Sequence, residues 1–192
     1  NINGIYRAVK ILYREKFDSE PPYEREFRAI CQYEPLSRES DALTDILHIG
    51  RNDKEGFFYY IMALADDRIA GRKINPATYK PKTLRSELEL QGRLGFEECL
   101  EQGQLLGKGL AHLHANLLAH RDIKPSNIIY IDGSPKLADV GLIKQFDDSV
   151  SIVGTVGYVP MEGPGKATGD IFSLGKVLYE MVTGMDRSEF PA

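Results

Sequence analysis

Cysteine is almost absent: Cys31 and Cys99 are the only two in 192 residues. They stand far apart and fit no metal-ligand spacing, which excludes a zinc module and a disulfide framework. Two buried free thiols in a reducing compartment are the reading they support, with a single disulfide as the alternative. Long apolar runs are missing too. The longest, residues 57–65, falls short of the about 20 residues that a membrane-spanning helix needs. No charge of one sign prevails, since 24 Lys and Arg face 28 Asp and Glu for a net charge of -4. That balance argues against nucleic acid or an anionic membrane surface as partner. There is no internal repeat and no low-complexity tract. No secretory leader opens the sequence, which starts without Met in what reads as a strand, so any membrane anchor is expected outside these residues.

What is present is ordinary for a soluble globular chain, with 42% hydrophobic and 27% charged residues. Residues 4–13 read as a strand, and residues 23–34 as a helix whose first turn tolerates Pro21 and Pro22. Residues 43–49 and 57–64 are apolar-rich and flank a polar, Gly-bounded turn, which predicts a hairpin. A polar stretch over 66–95 holds Pro76 and Pro81, and helical pattern returns there only at 84–90. Between Arg68 and Arg85 it carries six cations and no carboxylate. Such a run either attracts acidic peptides or is a solvated loop. Leu106, Leu110, Leu113 and Leu117 then mark one face of a helix over 96–118. Short strands follow at 128–131 and 136–138. A last helix is read from Ile171, Leu174, Leu178 and Met181, with Gly184 as its C-terminal cap. Strands with one helix, followed by helices, predict an α+β protein in two lobes, residues 1–65 and 66–192.

The informative stretch is His120-Arg121-Asp122-Ile123-Lys124-Pro125-Ser126-Asn127, followed after a short hairpin by Asp139-Val140-Gly141. Transfer of a phosphoryl group needs positioning and charge neutralisation more than covalent help. It requires a carboxylate to orient the attacking hydroxyl, oxygen ligands for Mg²⁺, and a cation to offset charge on the moving group. Asp122, Asn127, Asp139 and Lys124 are residues of those types in one loop-hairpin-loop unit.

On these residues the chain resembles the protein kinase family, serine/threonine type, and looks most like the bacterial eukaryotic-like kinases. The resemblance extends along essentially the whole chain. It implies a partial bilobal kinase-like fold that uses ATP and Mg²⁺ on Ser/Thr-containing protein substrates, in the cytoplasm. It casts Asp122 as catalytic base or hydroxyl orienter, Lys124 as a γ-phosphate contact, and Asn127 and Asp139 as Mg²⁺ ligands. Ala8-Val9-Lys10 resembles the strand whose lysine grips the phosphates, with Glu26 as its helix partner and Glu24 as runner-up. Met62 takes the gatekeeper place, and backbone groups of Ala63 and Ala65 would meet adenine. His120 and Arg121 belong to the catalytic loop. Arg121 would pair with a phosphate on Ser149 or Ser151. Thr155 would touch the catalytic Asp and Lys, Glu162 would pair with an arginine of later helices, and Asp170 would brace the loop backbone.

The chain departs from the pattern in having no glycine-rich loop before Lys10, in ending soon after the Asp170 helix, and in Val140 and Met161. The expectation is therefore of a piece cut at both ends, itself inactive and poorly stable. A pseudokinase or a partner-binding scaffold of kinase shape is the alternative. Retention of Lys10, Asp122, Asn127 and Asp139 argues against the pseudokinase.

Overall fold

The computed structural model describes residues 5–139, 144–145, 155, 157–160 and 167–190. Two regions follow each other along the chain. The first is a three-stranded antiparallel sheet with one helix against it. Strand β1 (Arg7–Tyr13), helix α1 (Glu20–Ser37), β2 (Ile46–Asn52) and β3 (Phe57–Ala63) build it, in strand order β1-β3-β2. Helix α1 begins three residues earlier and ends three later than the sequence pattern predicts. Its entry is eased by Pro21 and Pro22 in the first turn, where a missing N–H costs nothing. Its buried stripe is Tyr23, Ala29, Ile30, Tyr33 and Ser37. Cys31 lies beside that stripe and is exposed, which corrects the expectation of two buried thiols; Cys99 is buried, and both are free.

Arg51 of β2 fixes α1 to the sheet. Its guanidinium bonds both Glu24 carboxylate oxygens, at 2.9 and 2.6 Å, and Asp53 at 2.6 Å. It also lies over the rings of Phe27 and Tyr23, 4.9 and 5.6 Å from their centroids. Planar, bidentate pairing is the strong form of the Arg–carboxylate contact, and Arg51 holds the Glu24 carboxyl below its ordinary range.

The second region is mostly helical. Helices α2 (Leu84–Gln91), α3 (Phe96–Ala115) and α4 (Ala167–Thr183) surround the pairs β4 (Leu118–Ala119) with β7 (Lys144–Gln145) and β5 (Ile128–Ile131) with β6 (Ser134–Leu137). Thr83 and Ser86 cap α2 reciprocally. Leu106, Leu110 and Leu113 are fully buried along α3, whereas Leu117 has left the helix in a left-handed turn (φ 60°) and is 63% exposed. Gly109 of α3 permits close approach, because a Cβ there would sit 2.7 Å from Ala42 Cβ. Gly184 ends α4 at φ 74° and donates to Glu180 O at 2.8 Å.

One core cluster runs through both regions, from Tyr23, Ile30, Phe58 and Tyr60 to Leu106, Leu110, Val177 and Met181. The inward face of α4 differs from its apolar period. Ile171 is 54% exposed, while Asp170, Ser173 and Glu180 are buried at 1%, 4% and 2%. Polar groups occupy the core side there because each has a partner. Ser173 bonds Tyr158 O, and Glu180 pairs with Arg85 at 2.6 Å.

The polar stretch after β3 folds into a compact loop over residues 66–82. Four of the six cations between Arg68 and Arg85 are matched nearby: Arg68 with Glu89 (3.5 Å), Arg72 with Asp132 (2.9 Å), Lys82 with Glu87 (3.2 Å), and Arg85, in α2, with Glu180. The one-sign run is thus largely neutralised by carboxylates elsewhere in sequence, which weakens its claim on acidic peptides.

Replacing Arg51 by Met keeps the stem on the rings and removes the guanidinium. It should cost about 1–2 kcal/mol of stability in thermal melts, against less than about 0.5 kcal/mol for Arg72→Met at a solvated pair. Equal effects at the two positions would show that the Arg51 contacts add nothing.

Candidate active site

After α3 the chain makes a left-handed turn at Leu117, passes through β4, and enters the loop that begins at His120. Arg121 is itself left-handed (φ 71°), which a non-glycine residue adopts only under constraint. The constraint is visible. Asp170, 1% exposed in the first turn of α4, accepts from His120 N at 2.8 Å and Arg121 N at 2.7 Å. Its Oδ2 also lies 2.8 Å from His114 Nε2. The loop backbone is therefore tied to two helices at one carboxylate.

Asp122, 7% exposed, is presented by the braced backbone. Lys124 Nζ donates to Asp122 Oδ2 at 2.7 Å and to Thr155 Oγ1 at 2.8 Å, and the Thr155 hydroxyl donates to Asp122 Oδ1 at 2.9 Å. Asn127 Nδ2 bonds Asp122 twice, at its backbone oxygen and at Oδ2, both at 2.8 Å. A single turn of 3₁₀ helix over Pro125–Asn127, starting at proline, delivers the Asn127 side chain back onto Asp122. Both carboxylate oxygens of Asp122 are thus engaged by positioned donors.

Asp139 follows β6 in a left-handed conformation (φ 59°). Ala138 N donates to Asn127 O at 2.8 Å, which ties its segment to the loop. Lys10 Nζ lies 2.6 Å from Asp139 Oδ1, a contact between the sheet region and the helical region. Lys10 faces Tyr60 in the β1–β3 ladder. Burial, with the Asp139 and Glu26 carboxylates nearby, pushes the Tyr60 hydroxyl well above its ordinary pKa. Glu24, the runner-up for the helix carboxylate, is turned to Arg51.

Met62 packs against the core and faces Ala8 across the ladder. Beyond it, Ala63 N donates to Asp45 O at 3.1 Å. Ala65 is 5% exposed, and among the described residues its N–H has no hydrogen-bond partner. An unpaired amide N–H in a buried residue is rare and marks a place where a ligand acceptor is wanted. Val140, Gly141, Ser149, Ser151, Met161 and Glu162 lie outside the described residues.

Sequence reasoning missed one network. Tyr158 OH bonds Glu180, Arg85 Nη2 reaches that hydroxyl at 3.0 Å, and Arg85 Nη1 reaches Glu180. These groups adjoin a cavity of about 390 Å³ lined also by Lys124, Ser126 and Thr155. The signal was a carboxylate ten residues after Asp170, which an apolar periodicity does not register.

His120 is fully buried, and burial lowers its pKa against the opposing pull of Asp170, Asp122 and Asp139. The folded form therefore holds a neutral imidazole. Below an unfolded pKa of about 6.5 the unfolded chain takes up a proton that the folded chain refuses. Stability should fall with decreasing pH by up to about 1.4 kcal/mol per unit in that range. Urea unfolding between about pH 7.5 and 5.5 would show this slope, and His120→Asn should flatten it. An unchanged slope in the variant would assign the dependence elsewhere.

Comparison with known proteins gives one consistent result. The family model of the protein kinase domain matches residues 77–189. The serine/threonine-protein kinase PknA of Mycobacterium tuberculosis is 28% identical over 92% of this chain. PrkC of Bacillus subtilis is 29% identical, also over 92%. A probable serine/threonine-protein kinase of Clostridium perfringens is 37% identical over 54%. The matched stretch amounts to 40%, 26% and 17% of these relatives' own lengths.

Proposed function

Since the chain belongs to the protein kinase domain family, we propose that this protein transfers the γ-phosphoryl group of ATP to serine or threonine hydroxyls of protein substrates. The observation that carries the reading is the arrangement on Asp122. Lys124, Asn127 and Thr155 all bond one nearly buried carboxylate, and Lys124 and Thr155 also line the adjoining cavity.

In this reading Asp122 accepts the hydrogen bond of the acceptor hydroxyl, orients its lone pair at the γ-phosphorus, and takes up its proton as the new P–O bond forms and the bond from that phosphorus to the bridging oxygen breaks, releasing ADP. Lys124 and Asn127 fix the rotamer of Asp122. Lys124 also places a cation next to the site where charge moves to the transferred group. Thr155 bridges Asp122 and Lys124, so the acceptor segment that packs by Thr155 meets a preset pair. Lys10 holds the α- and β-phosphates, which take the place of the Asp139 carboxylate as its partner. Glu26 serves as the helix carboxylate for this lysine, since Glu24 is taken up by Arg51. Ala63 O and Ala65 N–H supply an acceptor and a donor to adenine, beside Met62.

The donor set also suits Mg²⁺, a hard cation that takes oxygen ligands and usually one or two carboxylates with substrate phosphates. Asp139 offers a carboxylate. Asn127 spends its amide nitrogen on Asp122, which leaves its side-chain oxygen as an acceptor. Bound there, the ion would neutralise phosphate charge. Two free thiols fit a reducing, cytoplasmic setting, and no described helix is long and apolar enough to cross a membrane.

The test is transfer of label from γ-labelled ATP to a mixed Ser/Thr peptide library by the full-length protein. Asp122→Ala should lower kcat at least about 100-fold, and Thr155→Val about tenfold with Thr155→Ser close to wild type. Undiminished turnover in Asp122→Ala would remove the assignment.

A further inference from the structure

The loop over residues 66–82 grips the segment that joins the two regions. Asp67 organises it. That carboxylate, 7% exposed, accepts from Ile69 N at 2.9 Å, Ala70 N at 2.8 Å and Lys80 N at 3.0 Å. These amides hold its carboxyl below the usual range. Asp66 accepts in turn from Gly133 N at 2.8 Å and Asp132 N at 3.2 Å in the β5–β6 turn. Lys82 N bonds Asp66 O at 2.7 Å, so both ends of the loop close on one residue. The loop is a strap, fastened at many points.

From this strap the half-buried Tyr79 sends its hydroxyl to Ala65 O at 3.2 Å. On the other side of the same peptide group, Asp66 N donates to Tyr130 O at 2.7 Å. The 65–66 peptide plane is thus fixed at both of its polar atoms. Upstream, the Ala63 N–H is fixed on Asp45 O. Between these two pins lies the Ala65 N–H, which has no partner in the described protein. Its direction is set by the rotation of the planes that flank it.

We propose that Tyr79 is a positioning residue for the nucleotide: by occupying Ala65 O from the outside it holds the Ala65 N–H aimed at the base. The inference rests on the kinase reading above and adds the residue that presets the joining segment. Without the hydroxyl, Ala65 O in a 5%-exposed residue must turn to find another donor, and the plane carrying it rotates. Tyr79 would act on binding of the nucleotide and not on the acceptor or the chemical step. A uniform loss would instead mark it as part of the fold.

The full-length protein would be compared with Tyr79→Phe, which keeps the ring, and with Arg72→Ala, which opens the solvated Arg72–Asp132 fastening of the same strap and leaves the Tyr79–Ala65 hydrogen bond in place. Readouts are KM for ATP, Kd for a fluorescent ATP analogue, kcat, KM for the acceptor peptide, and Tm. One neutral hydrogen bond predicts about a fivefold rise in ATP KM and analogue Kd for Tyr79→Phe, with kcat and acceptor KM within about twofold. Arg72→Ala should leave nucleotide affinity unchanged. Wild-type affinity in Tyr79→Phe would overturn the inference while leaving kinase activity intact. So would an equal loss in Arg72→Ala, or a fall in Tm with nucleotide and acceptor affinity lost together. A wild-type protein that binds no nucleotide would overturn the kinase reading and this inference with it.

Discussion

The buried carboxylate of Asp170 is the constraint on which the site depends. A left-handed arginine in the loop costs about 1–2 kcal/mol, and a loop bearing His120, Arg121 and Asp122 in nearly dry surroundings would not hold that shape by itself. Hydrogen bonds from backbone amides to a charged acceptor are worth about 1.5–3 kcal/mol each. Two of them, to His120 N and Arg121 N, outweigh the strain. The amides and His114 replace the water that the Asp170 carboxylate has lost on burial. With the backbone set, Asp122 points toward Lys124, Asn127 and Thr155, and the rest of the site is built on that direction.

Away from the loop, the sheet region is tied to the helical one at several points, three of which bear on the site. Lys10 reaches Asp139, the 65–66 peptide is held between Tyr79 and Tyr130, and Thr44 is bonded to Leu137 through both N–H and hydroxyl, at 3.1 and 2.8 Å. The first is half exposed and needs little energy to exchange for another anion; the other two are more sheltered and act as fixed points. A surface joint that can trade partners beside sheltered anchors suits a site that must admit and release a polyanion. The clamp of Arg51 on Glu24 keeps α1, and with it Glu26, seated on the sheet throughout.

Much of this was legible in the sequence where chemistry is carried by residues close together in the chain. The order His120, Arg121, Asp122, Lys124, Asn127 fixes a loop whose members meet one another, and the structure puts Lys124 and Asn127 on Asp122. Helix α3 followed from its leucines and the end of α4 from Gly184, since each is a local rule of period or cap. What escaped depends on long-range pairing. Glu180 is buried on a helix face that hydrophobic periodicity assigns to Ile171, because Arg85, far away in sequence, neutralises it. The cationic run over 68–85 looks unbalanced because its carboxylates lie outside it, Glu87 and Glu89 just beyond its end and Asp132 far along the chain. Tyr79 in a polar stretch gives no sign of reaching Ala65. Cys31 was read as buried because a period of apolar residues does not fix where the edge of the stripe falls.

The central claim is that one carboxylate holds the loop that carries Asp122 in shape, and amide hydrogen exchange at His120 and Arg121 examines it directly. In the full-length protein both amides should exchange only as slowly as global or large-scale opening permits, and Asp170→Asn should speed them selectively by about ten- to a hundredfold, while amides of α3 keep their rates. Fast exchange of both amides in the wild-type protein, or unchanged rates in Asp170→Asn, would contradict the account.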